Sequence, residues 1–241
     1  MESGRLTRAE RFLLACNELG WGDGTKNGLW FFGMEERLPW EPGQESRIED
    51  HYGHDKYFRD REVESALYGE GRKYPKRDFK PSDGDFVEAK ICAELSTSRM
   101  PENDILKNIV NVMPGTGIAH GNLYPLGKPG WKSTFPPHYL DLFGYGPGDM
   151  AQYRKDVARH RFPRIRDARK ELSPKAIVCF GVGCWPEFRE VFGLSGPADP
   201  KRPVYEEDRV ILAYHWSFNN LKEADIQWIT VKLKEWGVTV P

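Results

Sequence analysis

The apolar positions of this chain fall into blocks with two periods. RLTRAERFLLACNELG (5–20) reads as a helix on which Leu13, Leu14 and Cys16 would face inward. Thr7 with Glu10 three residues on forms a capping box that opens the helix, and Gly20 is placed to stop it. GLWFFG (28–33) is a continuous apolar run between glycines, which predicts a short buried strand. Residues 34–84 then lose all period, and a loop of that length inside a domain is a functional or mobile segment. Helical spacing returns in DFVEAKICAELST (85–97) and NDILKNIVNVM (103–113). GIAHGNLYPL (117–126) reads as a strand ending at Pro125, with a Pro/Gly-rich loop to about Gly148. Residues 149–171 are helical in pattern, with Asp149 as cap and Pro163 expected to break or kink the run. AIVCFGVG (176–183) is apolar throughout, as in a strand buried on both faces, and Pro186 opens a short helix that Gly193 ends. RVILAYH (209–215) predicts the last strand, and NLKEADIQWITVKLKEW (220–236) the last helix, opened by Asn220 with Glu223 three on.

Strands alternating with helices predict an α/β fold, a three-layer α/β/α sandwich around a central, mostly parallel four-stranded sheet. The 241 residues fit a single domain spanning 1–241, with a long charged insert at about 34–84. Ligands of such sheets bind beyond the carboxyl ends of the strands. That rule selects Gly33-Met34-Glu35-Glu36, Asn122 to Pro125, and His215-Trp216-Ser217.

Composition narrows the classes. Lys plus Arg number 35 against 36 Asp plus Glu, so overall charge gives no support for a polyanion partner. Local charge does: Arg154 to Lys175 holds nine Lys/Arg against three acids, and Arg72, Lys73, Lys76 and Arg77 cluster in the insert. Either group is a solvated face or a phosphate-binding one. MESGRLTRAERFLLAC lacks a signal-peptide pattern, and no run approaches the ~18 apolar residues of a membrane span, so a cytoplasmic protein without membrane partners is expected. Cys16, Cys92, Cys179 and Cys184 are scattered, which predicts free buried thiols and neither disulfides nor a metal cluster. Gly-x-Gly in CFGVGCW lacks a third glycine at dinucleotide-binding spacing, no P-loop occurs, and Ser217 lacks a nucleophile elbow.

The residues at the strand ends have complementary chemistry. A carboxylate orients and activates water. An asparagine presents one acceptor and two donors, enough to read the edge of a pyrimidine. A histidine donates a hydrogen bond to an oxygen that gains negative charge as a bond breaks. Together they fit hydrolysis of a glycosidic bond with a nucleobase as leaving group.

In order and spacing, FFGMEE, GNLYPL, CFGVGCWPEF and YHWSFNN resemble the motifs of the uracil-DNA glycosylase superfamily, over about residues 28–236. FFGM and GNLYPL are most similar to its single-strand-selective monofunctional branch. The resemblance implies a monofunctional DNA glycosylase of base-excision repair, which flips out uracil or a modified or damaged base and leaves an abasic site. It implies that Glu35 positions the water, with Glu36 as the alternative one residue on. Asn122 would read the base, Asn111 being the competitor. Gly33 and Met34 would line the base site, and His215 would stabilise the departing base. Trp216, Ser217, Phe218 and Asn219 would form the loop that presses on DNA, with Arg72 and Lys73 on phosphates. Tyr52 is one of several aromatics of the insert (Trp40, Tyr57 and Phe58 among them) that could stack on the base. No cofactor, no metal and no obligate protein partner are implied, and DNA, single- or double-stranded, is the expected partner. The pattern departs from the superfamily in two places: the proline usual after the first acid is missing, and Trp216 stands where the last motif has proline. With the long insert, these departures fit a base other than uracil, such as one of hypermodified viral DNA in an antiviral role. The alternative is a catalytically silent DNA- or nucleotide-binding module of the same fold.

Overall fold

The computed structural model describes residues 6–24, 26–35, 40–53, 56–59, 84–97, 117–128, 132–196, 204–214 and 221–240, with backbone only at 35, 59, 84–86 and 204. Seven strands form one sheet: β1 (Gly20–Gly22), β2 (Leu29–Glu35), β3 (Phe58–Arg59), β4 (Ile118–Tyr124), β5 (Ala176–Phe180), β6 (Val204–Glu207) and β7 (Val210–Ala213). Their order is β3-β1-β4-β2-β5-β7-β6. The four strands expected from the apolar runs are its centre, β4-β2-β5-β7, and they are mutually parallel. The sheet is larger than the expected four strands. β1 adds antiparallel to β4, β3 parallel to β1, and β6 antiparallel to β7. These additions are two to four residues long, too short to show a period.

Side chains alternate across the sheet, so each central strand feeds two cores. Trp30, Phe32, Leu123, Ile177, Cys179 and Leu212 point to one face. Phe31, Val178, Phe180 and Ile211 point to the other. The first face is covered by α1 (Arg8–Asn17), α2 (Glu45–Tyr52), α4 (Tyr139–Phe143), α5 (Met150–Leu172) and α6 (Trp185–Phe192). The second is covered by α3 (Gly84–Leu95) and α7 (Glu223–Glu235). Three layers result, as expected.

Local chemistry explains most boundaries. The capping box at α1 is present, with Thr7 Oγ1 accepting from the Glu10 N–H and Glu10 accepting from the Thr7 N–H at 2.7 Å. α6 starts around Pro186 and ends at Gly193, which has φ 66°. Several expectations change. α1 ends at Asn17 with Glu18 extended as its C-cap, so Gly20 opens β1 and does not stop the helix, and Leu13 is exposed while Phe12, Ala15 and Cys16 face the core. The insert is not wholly irregular, because it contains α2 and β3, and the loop before residue 148 contains α4. α5 runs unbroken through Pro163. Pro163 is exposed while Phe162 and Ile165 beside it are buried, so packing holds the turn whose hydrogen bond the proline cannot make. α7 begins after Lys222, whose backbone N–H donates to Asp225 at 2.8 Å, and not at Asn220. The expected helix at 103–113 lies outside the described residues.

β1 comes unusually close to β4. Gly20 faces Gly121, and a Cβ on Gly20 would overlap the His120 carbonyl. One on Gly121 would lie 2.9 Å from the Leu19 carbonyl oxygen and 2.8 Å from the Phe32 ring. Only glycine at both positions allows that approach.

Candidate functional site at the strand ends

From the end of β2 the chain leads to β4 on one side, and from β5 to β7 on the other. β2 and β5 therefore flank the topological switch point, where such sheets have their crevice. Met34 and Gly181 meet there. Gly181 has φ 123° and donates its N–H to the Ala213 carbonyl at 3.0 Å. The Met34 side chain lies so close to it that a Cβ at 181 would overlap Cγ and Sδ. The Gly-x-Gly string after β5 thus serves close packing.

Asn122 stands beside Gly33 in the β2–β4 ladder, and Glu35 beside Tyr124. Its side chain is half-buried, and its backbone is held from both sides. The Asn122 N–H donates to the Leu19 carbonyl at 3.1 Å, and the Asn122 carbonyl accepts from Arg161 Nε at 3.1 Å and Nη2 at 2.7 Å. Arg161 is 1% exposed and also donates to the carbonyls of Ala15, Cys16, Glu18 and Leu19. Burial lowers its pKa, an effect opposed by Cys16, Tyr153 and Glu18.

β7 delivers the last motif. Trp185, at the start of α6, donates its indole N–H to the Ala213 carbonyl at 3.1 Å and packs on Tyr214 with ring centroids 5.7 Å apart. The end of β7 is thereby tied to α6. β7 lies two strands from β2, so the two strands run about 10 Å apart.

The strand ends bring Gly33, Met34, the backbone of Glu35, and Asn122 together. Glu36, Asn111, His215, Trp216, Ser217, Phe218, Asn219, Arg72 and Lys73 lie outside the described residues. Tyr52 does not take the place expected of it. It is 2% exposed, packs edge-on to Trp40 and His51, and donates its hydroxyl to the Pro125 carbonyl at 3.3 Å. α2 folds it into the core, so it has no open ring face for a base. Trp40 and Phe58 are buried likewise, and Tyr57 is covered by the Arg164 guanidinium 3.9 Å from its ring centre.

Two groups at or near the strand ends went unread in the sequence. Tyr124 donates to Glu187 Oε1 at 3.2 Å, across the end of β2, with the Arg154 guanidinium 5.8 Å from its ring centre. Burial, and then the Glu187 carboxylate, push the Tyr124 phenol far above its usual range, so it stays a neutral donor. Oε2 of Glu187 is buried without a hydrogen-bond partner. A carboxylate in the first turn of a helix that follows a buried strand was the available signal. On the opposite face of the sheet, His120 Nδ1 lies 2.8 Å from Glu88 Oε1 and the ring stacks on Trp21 with centroids 5.1 Å apart. That pair ties α3 to β4 two residues before Asn122.

The basic run divides by role. Arg161 is buried, Arg164 donates to the Asn17 carbonyl, Arg169 pairs with Asp208 at 2.7 Å, and Lys175 donates to the Gly237 carbonyl. Lys155, Arg159 and Lys170 are exposed along α5. All four cysteines are buried free thiols. Among the described residues there is no group of three or more His, Cys, Asp or Glu that could hold a metal ion. No helix among them is long and apolar enough to cross a membrane. No family model matches the chain, and no curated protein matches it significantly.

Proposed function

We propose that the protein is a monofunctional DNA glycosylase that hydrolyses the N-glycosidic bond of a flipped-out uracil or modified base. One observation carries the reading: β2, β4 and β5 hold the first three motifs at their carboxyl ends, and the chain leaves β7, the fourth parallel central strand, where the last motif begins at Tyr214, with the first and third motifs meeting at the switch point. In this mechanism a water held by Glu35 attacks the anomeric carbon. Asn122 pairs with the edge of the base, Met34 and Gly33 floor the site, and His215 donates a hydrogen bond to the base oxygen that gains charge as the bond breaks. The ~10 Å between β2 and β7 leaves room for a nucleoside between acid and imidazole. The insert at 34–84 fits selection of a base bulkier than uracil.

The test incubates the protein with DNAs holding a single uracil, hypoxanthine or hypermodified cytosine, single- and double-stranded, and reads abasic sites by alkaline cleavage. Release from at least one, lost in Glu35→Ala and His215→Ala while DNA binding persists, is the expected result. Binding without release from any of them would replace the enzyme with a silent binding module.

A further inference from the structure

We propose that Arg161 is a positioning residue that sets Asn122 for base recognition, an inference that rests on the glycosylase reading. The guanidinium is wholly enclosed, and backbone carbonyls receive all three of its nitrogens. One side of the fork collects Ala15, Cys16 and Glu18, at the end of α1 and just past it, where helix carbonyls lack partners and carry partial negative charge. The other side grips one carbonyl twice, that of Asn122. Nη2 also holds the Leu19 carbonyl, which itself receives the Asn122 N–H. Both polar groups of the Asn122 backbone therefore end, directly or through Leu19, on one buried cation.

Capping α1 alone does not require this arrangement. A lysine would supply charge to a helix end, but its point-like ammonium could not hold α1 and the Asn122 carbonyl in fixed directions. Asn122 needs such fixing because it sits two residues from the end of its strand. An amide that reads a base must be held to about 0.5 Å, and an error of about 1 Å costs about 100-fold in rate. The Gly20–Gly121 contact brings β1 close enough for Leu19 to take part.

The experiment is a double-mutant cycle on base release under single turnover, using the three DNAs of the assay above. Arg161→Lys keeps the cation and loses the fork. The expected result is a 10- to 100-fold slower release step with DNA affinity unchanged within about twofold, and a weaker preference among the three bases. In an Asn122→Ala background, Arg161→Lys should change release by less than about twofold, because the residue through which it acts is gone. Additive losses, or a loss confined to DNA affinity, would overturn the proposal while leaving the glycosylase reading intact. If the unaltered protein releases no base, both fall. Amide exchange on the unaltered protein gives a readout that does not depend on Arg161→Lys folding. The Asn122 N–H should exchange as slowly as the sheet centre, and exchange at the rate of a frayed strand end would also overturn it.

Discussion

Met34 and Gly181 touch where the two halves of the sheet diverge, so a single methyl group probes the switch point. Gly181→Ala puts a Cβ into Met34 and forces a side chain onto a φ of 123°. The expected cost is about 1–3 kcal/mol, read as a lower denaturant midpoint, and on the glycosylase proposal base release should fall as well. The thiols make a second residue-scale prediction. Burial raises Cys16 to about 12, and lifts Cys92 and Cys179 well above the usual thiol range. With all four cysteines buried and outside any disulfide, a thiol reagent at neutral pH should label none in the native protein and four in denaturant. Rapid native labelling would show that the core opens.

Among the elements, the β6–β7 hairpin is anchored by one carboxylate. Glu207 accepts from Ser195 Oγ at 2.6 Å, from the Ser195 and Gly196 N–H groups, and from the Tyr205 hydroxyl at 2.6 Å. Those hydrogen bonds, Ser195 first and Tyr205 next, hold its carboxyl at about 2. An unfolded glutamate titrates near ~4.3, so the contribution is complete above that pH and is lost as pH falls towards about 2. Glu207→Gln should remove that dependence. The gap in denaturant midpoint between native protein and variant should be widest near neutrality, narrow as pH falls below about 4, and close only below about pH 2. The hairpin also shows why the sequence hid part of the fold. Asp208 and Arg209 both take positive φ, 50° and 60°, in its two-residue turn, a place where Asn-Gly or Asp-Gly gives the usual signal. Strands β2, β4, β5 and β7 were legible because each buries an apolar run, and α1 because its cap is local chemistry. β1, β3 and α2 depend on contacts remote in sequence: paired glycines, an edge partner, and the Trp40–His51–Tyr52 cluster. Of the candidate site, the position of Asn122 near the end of a strand was legible. Arg161 was not, since within a basic helix nothing local separates the one enclosed cation from its exposed neighbours.

For the whole molecule, near-neutral charge means that the DNA binding proposed above would depend on where the cations lie. α5 carries exposed Lys155 and Arg159 one turn apart, beyond Arg154 at the crevice rim. If the protein binds DNA as proposed, replacing Lys155 and Arg159 with glutamate should weaken that binding several-fold at low salt and make the plot of log affinity against log salt shallower by about 1–2. An unchanged slope would place the DNA elsewhere. The sheet as a unit also has a border to defend. β7 is wholly apolar over Val210–Ala213, and β6 shields it with a strand that carries Glu206 and Glu207. Stripping β6 away would uncover a row of unpaired backbone groups on a greasy strand, a template on which one molecule could recruit another into a growing fibre. The hairpin would then matter for solubility as much as for stability.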